Sequence, residues 1–235
     1  MKTYRDKKIY DYILIGFPRT GTTWIGRYFK FYNNNNLGEY FSIGELYKEN
    51  IKFLNSEREK GNEYYIKYLS HQLQYLNEIA PGWHDDFYKN YTKIKLINTN
   101  VWRIFLSYFY QHDVFVKNGL LTNTRIWEKD YEVQKFSIHS KNKISEYDEI
   151  QRFVKRYVDY IRYNNYDLLW NIKDITHEFL VDFLELNLIT TKKQSWFVHD
   201  YESKLLDDVE MLHDTLRYEF KKYGINYLQN GHIEL

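Results

Sequence analysis

Gly16-Phe17-Pro18-Arg19-Thr20-Gly21-Thr22-Thr23 joins an apolar run, Tyr10 to Phe17, to a stretch from Thr22 to Tyr32 with Trp24, Ile25, Tyr28, Phe29 and Tyr32 at helical spacing. The reading is a buried strand, a tight glycine turn and a helix. Such a turn favours an anion for physical reasons. Gly21 lets the backbone bend so that successive N–H groups face one point. The first N–H groups of the helix have no intrahelical acceptor, and the helix dipole favours negative charge beside them. Thr22 and Thr23 add hydroxyl donors, and Arg19 adds a guanidinium suited to two-pronged contact with an oxyanion. The skeleton G-x-x-x-x-G-T-T is close to a Walker A loop in which Thr22 replaces the lysine. A phosphate site at the end of the first strand is the expectation.

Further along the chain, Leu37 to Phe41 reads as a second strand or its end, and Lys93 to Asn98 as another central strand. Helical periodicity runs from about Glu63 to Ile79, from Val101 to Phe115, from about Ser145 to Trp170, near Glu178 to Leu186, and from Tyr201 to Tyr223. A further strand is expected near Ile172 to Thr176. Residues 117–144 lack a clear period and read as an irregular lid or acceptor-side insert. With two prolines, no Gly/Ser-rich linker and no internal repeat, residues 1–235 read as one domain. Strands alternating with helices predict an α/β fold, a central parallel sheet with helices on both faces.

Composition narrows the function. The 33 basic residues against 32 acidic ones leave a net charge of +1, which argues against a general nucleic-acid binder but permits a local anion pocket. The absence of cysteine removes disulfides, thiolate nucleophiles and Cys-based zinc sites. No apolar run approaches the roughly 18–20 residues of a membrane span, and the opening Met1 to Lys8 lacks the apolar core of a secretory signal. A soluble, cytoplasmic protein that engages no membrane is the simplest expectation. His84-Asp85-Asp86 and the group Asp207, Asp208, Glu210, His213 and Asp214 lack a recognised metal-ligand spacing and read as solvated faces, so no metal is assigned.

Moving the loop's cation to Arg19 resembles the sulfotransferases that use 3'-phosphoadenosine 5'-phosphosulfate (PAPS). Their loop runs Pro, then Lys or Arg, then Ser or Thr, then Gly-Thr-Thr-Trp, and Pro18-Arg19-Thr20-Gly21-Thr22-Thr23-Trp24 matches it throughout. The resemblance implies a P-loop-like sulfotransferase fold in which Arg19, Thr20, Gly21, Thr22 and Thr23 grip the 5'-phosphate and sulfuryl group and Trp24 lies by the adenine. It also implies an Arg and, eight residues later, a Ser holding the 3'-phosphate. Ser107 fills the second position, within Val101-Trp102-Arg103-Ile104-Phe105-Leu106-Ser107-Tyr108, but the first is Thr99. Arg103, one turn before Ser107, or the tail segment Lys192-Lys193-Gln194 is expected to supply the missing charge. Asp174 to Leu180 resembles a structural stretch of the same family, with His177 in place of its Tyr.

Sulfuryl transfer to an alcohol requires in-line attack, a base for the acceptor hydroxyl and charge stabilisation on the leaving phosphate, with no metal in principle. Arg19 is the natural stabiliser. Glu39, in Leu37-Gly38-Glu39-Tyr40-Phe41-Ser42, resembles the catalytic Glu of several carbohydrate sulfotransferases, and His84 is the second candidate base. The expected reaction takes PAPS as co-substrate, releases adenosine 3',5'-bisphosphate (PAP), and sulfates a hydroxyl on a carbohydrate or other small molecule. Two alternatives stand beside it. A small-molecule kinase would want a Lys at Thr22 and an Asp at the end of the second strand, where Asn98-Thr99-Asn100 stands. An inactive nucleotide-binding relative is kept in play by Thr99.

Overall fold

The computed structural model describes residues 12–32, 36–38, 52–53, 56, 59–60, 65–70, 91–108, 143–185 and 209–235. Within them the chain forms two compact units, Met1–Ile97 with Tyr163–Trp196, and Asn98–Arg162 with Phe197–Leu235.

The first unit is built on β1 (Tyr12–Gly16), α1 (Thr22–Tyr32), β2 (Asn36–Gly38), β3 (Tyr65–Leu69) and β4 (Thr92–Ile97). It continues through β5 (Leu168–Asn171), a 3-10 turn (Ile172–Asp174) and a short helix, His177–Phe183. The five strands form one sheet in the order β2-β3-β1-β4-β5, and every pairing is parallel. The β1 register sets Leu14 beside Ile94 and Gly16 beside Leu96, and β4 sets Leu96 beside Trp170. On that face Leu14, Ile94, Leu96 and Trp170 pack with Trp24, Ile25, Tyr28 and Phe29 of α1 and with Leu180, Val181 and Leu184 around the short helix. The alternate residues Ile13, Ile15, Lys93 and Lys95 are buried too. The fold is therefore α/β, with a parallel sheet and helices packed against it.

Two lysines on a buried central strand need partners. Lys93 Nζ lies 3.0 Å from Asp167 Oδ2, while its backbone N–H donates to the same oxygen at 2.8 Å and its carbonyl accepts from the Asp167 N–H at 2.9 Å. Lys95 Nζ donates to the Tyr163 carbonyl and stands 5.1 Å from the centre of the Tyr166 ring. Burial lowers the Lys95 ammonium from its ordinary value to about 8. Both side chains thus fasten residues 163–167, which lead into β5.

The second unit contains α2, whose described residues are 101–108, α3 (Lys143–Arg162) and a helix at Val209–Lys221. With the short helix of the first unit taken as α4, this last one is α5. Ile150, Phe153, Val154, Tyr157 and Val158 of α3 are buried, as are Leu212, Leu216 and Phe220 of α5. Tyr157 meets Phe220 edge-on at 6.4 Å and donates its hydroxyl to the Asn98 carbonyl at 2.5 Å. Glu219 of α5, 3% exposed, accepts from the Tyr147 hydroxyl at 2.5 Å and from Lys222 Nζ at 2.6 Å.

Several sequence expectations are corrected. Residues 65–69 form a strand, not part of a helix, because Tyr65-Ile66-Lys67-Tyr68-Leu69 pairs between β2 and β1 and its aromatic and branched residues suit that place. The long helix stops at Arg162 rather than Trp170; Asn164 and Asn165 follow it, and asparagine favours turns over helix interiors. The fifth strand is 168–171, not 172–176. Asn171 accepts from the Lys173 N–H at 3.3 Å and caps a 3-10 turn where extended backbone was expected. The stretch from Asp174 is structural in this fold. Thr176 caps α4 by accepting from the Phe179 N–H at 3.0 Å, and His177 Nδ1 lies 2.9 Å from the Tyr28 hydroxyl.

Candidate functional site

The bend after β1 is constructed by four residues. Pro18 and Arg19 are the central pair of a turn closed by the Thr20 N–H donating to the Phe17 carbonyl at 3.2 Å. Arg19 adopts φ 71°, so Pro at the second position and left-handed backbone at the third give the marks of a type II turn. The Thr20 hydroxyl donates to the same Phe17 oxygen at 2.7 Å, fully buried. Both donors of Thr20 therefore tie the loop internally. Gly21 follows at φ 92° and its carbonyl accepts from the N–H groups of Trp24 at 3.0 Å and Ile25 at 3.2 Å, which starts α1.

Gly16 is required for a different reason. A Cβ there would stand 2.1 Å from Thr22 Cγ2 and 3.2 Å from Thr20 Oγ1, so the loop folds back onto a backbone that has no side chain. Thr22 is buried by this contact, whereas Thr23 is exposed. The N–H groups of Thr22 and Thr23 precede the first residue that can find an acceptor one turn back within the helix. They open the helix at the C-terminal edge of the sheet, at the end of the strand flanked by β3 and β4, where ligands bind in open parallel sheets. Trp24 is 9% exposed and packs edge-on against Tyr28 at 5.4 Å, inside the α1 core.

In the second unit, Asn100 caps α2, accepting from the Arg103 N–H at 3.0 Å, while its own N–H donates to Asn98 Oδ1 at 3.0 Å. Arg103 is exposed and Ser107 half-buried one turn later. Thr99 is engaged by the C-terminal segment. The Ile233 N–H donates to its carbonyl at 2.9 Å, Asn100 and His232 form an antiparallel bridge, and His232 Nδ1 lies 3.2 Å from Thr99 Oγ1. Trp102 donates its N–H to the Gly231 carbonyl at 3.0 Å. Its ring stacks on His213 at 3.8 Å, and His213 Nδ1 in turn meets the Tyr227 hydroxyl at 2.7 Å. The structure thus brings the Arg19 to Trp24 residues together in one unit and Thr99, Arg103 and Ser107 in the other.

Glu39, His84, Lys192, Lys193 and Gln194, and the stretch 117–142, lie outside the described residues. Among the described residues no three His, Cys, Asp or Glu side chains form a group suited to a metal ion, and no helix is long and apolar enough to cross a membrane. His232 escaped the sequence reading because it lies 133 positions from the threonine it touches. The local signal around it, Gly231-His232-Ile233, resembles no site motif. No protein-family model matches the chain, and no curated protein matches it.

Proposed function

We propose that the chain is a PAPS-dependent sulfotransferase with a P-loop-like fold, and that it transfers a sulfuryl group to a hydroxyl of a carbohydrate or other small molecule. The observation that carries this reading is the bend after β1. Two left-handed residues, Arg19 and Gly21, bracket a self-tied Thr20 ahead of α1, and the turn bears a guanidinium where a Walker A lysine is absent. The residues around the bend coincide with the seven that resemble the sulfotransferase loop.

In the proposed reaction the acceptor oxygen attacks sulfur in line. A sulfur–oxygen bond to the acceptor forms as the bond to the 5'-phosphate breaks. The bonding pair stays on the phosphate, whose charge Arg19 offsets, and PAP leaves. The acceptor proton passes to the Glu39 carboxylate, with His84 as the alternative base. Ser107 and the Lys192-Lys193-Gln194 segment are assigned to the 3'-phosphate by the sequence resemblance, and Arg103 by its place one helical turn before Ser107. No metal, nucleic acid or membrane takes part in this reading.

Thermal denaturation with PAP or with ATP and magnesium tests the reading. PAP is expected to stabilise the protein, by about 2.7 kcal/mol at a hundredfold excess over Kd. Stabilisation by ATP alone overturns the sulfotransferase reading in favour of a kinase. Thr99 in the arginine position favours one second reading, a nucleotide binder without catalysis. Incubation with labelled PAPS and a panel of glycans and phenols separates the two: transfer supports the enzyme, and tight PAP binding with no transfer supports the inactive relative.

A further inference from the structure

We infer that His232, carried by the C-terminal segment, binds a phosphate monoester in place of the cation missing at position 99; this rests on the nucleotide reading above and assigns its 3'-phosphate to this residue. The register of the segment is held on both sides of His232. On one side the Gly231 carbonyl accepts from the Trp102 N–H at 3.0 Å, and on the other the Ile233 N–H donates to the Thr99 carbonyl at 2.9 Å. Gly231 has φ 80°, and a Cβ on it would stand 2.3 Å from Trp102 Cβ, so the segment reaches this closeness only with glycine there. The imidazole is thereby delivered to the side chain of Thr99, with Nδ1 3.2 Å from Oγ1.

That contact occupies one ring nitrogen and orients the ring, as a hydrogen bond to one nitrogen commonly does for a working histidine. The other nitrogen remains to be used. The ring is half-buried, which leaves part of it within reach of solvent. As an N–H donor it suits a phosphate oxygen. Arg103, exposed on α2 three residues beyond Asn100, the bridge partner of His232, adds a cation to this end of the unit. A phosphate monoester, which can carry two negative charges, fits this pairing better than a neutral hydroxyl.

Isothermal titration of the full chain with PAP and with adenosine 5'-monophosphate, which lacks the 3'-phosphate, tests the assignment. The parent protein is expected to prefer PAP. His232→Ala should lower that preference about 10- to 100-fold while leaving the monophosphate affinity unchanged, the loss typical of a charge-assisted hydrogen bond. His232→Arg should retain it. Should His232→Ala fail to fold, His232→Gln, which keeps a polar group for Thr99 but not the ring, should show a smaller loss in the same direction. Equal weakening of both nucleotides would mean that His232 only braces the segment, and an undiminished preference for PAP would exclude it from the phosphate; either overturns the assignment with the nucleotide reading intact. Failure of the parent protein to bind either nucleotide removes the underlying reading and this assignment together.

Discussion

Arg19 holds left-handed backbone that costs a non-glycine residue about 1–2 kcal/mol, and it does so at the turn where the anion is proposed to sit. Conformation and charge are separable at this position. Glycine relieves the backbone cost but gives back about 0.5–1 kcal/mol in chain entropy. Arg19→Ala, which keeps the left-handed strain, should therefore melt below Arg19→Gly. Both should lose about 10- to 100-fold in PAP affinity, because the guanidinium is gone from each. Melting curves paired with titration calorimetry read the two effects independently. If PAP affinity is kept in both variants, the guanidinium has no place at the anion. The turn was legible in the sequence because its chemistry is local: Pro18 sets one φ, Gly21 permits another, and Gly16 leaves room for Thr22. The inward turn of Thr20 was not legible, since nothing in its neighbours says which way a hydroxyl points.

At the level of elements, the helix that carries Arg103 and Ser107 depends on a single cap. Asn100→Ala removes the acceptor for the Arg103 N–H and should lower stability by about 1 kcal/mol. Urea denaturation checks this, and an unchanged midpoint would show that the bridge to His232 holds the helix start by itself. Elements with strong local signals were readable: β1, α1 and β4 fall where apolar runs and turn residues put them. β3 was not, because Tyr65 to Leu69 satisfies a helical period as well as a strand, and its pairing with β1 is decided by residues far along the chain. The end of α3 was missed for a related reason. Apolar Leu168, Leu169 and Trp170 continue the helical pattern across Asn164 and Asn165, although in the structure they form β5.

At the scale of the whole molecule, pH acts on stability through groups of opposite sign. The Lys95 ammonium is held at about 8 against an ordinary 10.5. Below about pH 8 the fold keeps a buried charge, and above it the folded protein sheds a proton that the unfolded chain retains to about 10.5. Stability should therefore rise between about pH 8 and 10, on the order of 1–2 kcal/mol. Burial raises the phenols of Tyr157 and Tyr227, so near pH 10 the unfolded chain ionises first and the gain reverses. The urea midpoint measured from pH 7 to 10.5 should show this maximum, and Lys95→Met should abolish the rising limb. A rise that survives in Lys95→Met would assign it to another group. The parallel sheet was readable from alternating elements, but the tie of Thr99 to the C-terminal segment was not, since it joins residues 133 positions apart.

The two lysines of β4 carry one more consequence, for the chain before it folds. Thr92 to Ile97 without them would be a short, uncharged, branched run of the kind that stacks into fibrils. With Lys93 and Lys95 in alternate positions, in-register stacking would align rows of like charge about 4.8 Å apart, a spacing that opposes growth. The side chains that latch the crossover in the finished protein thus guard the same strand while it is still exposed.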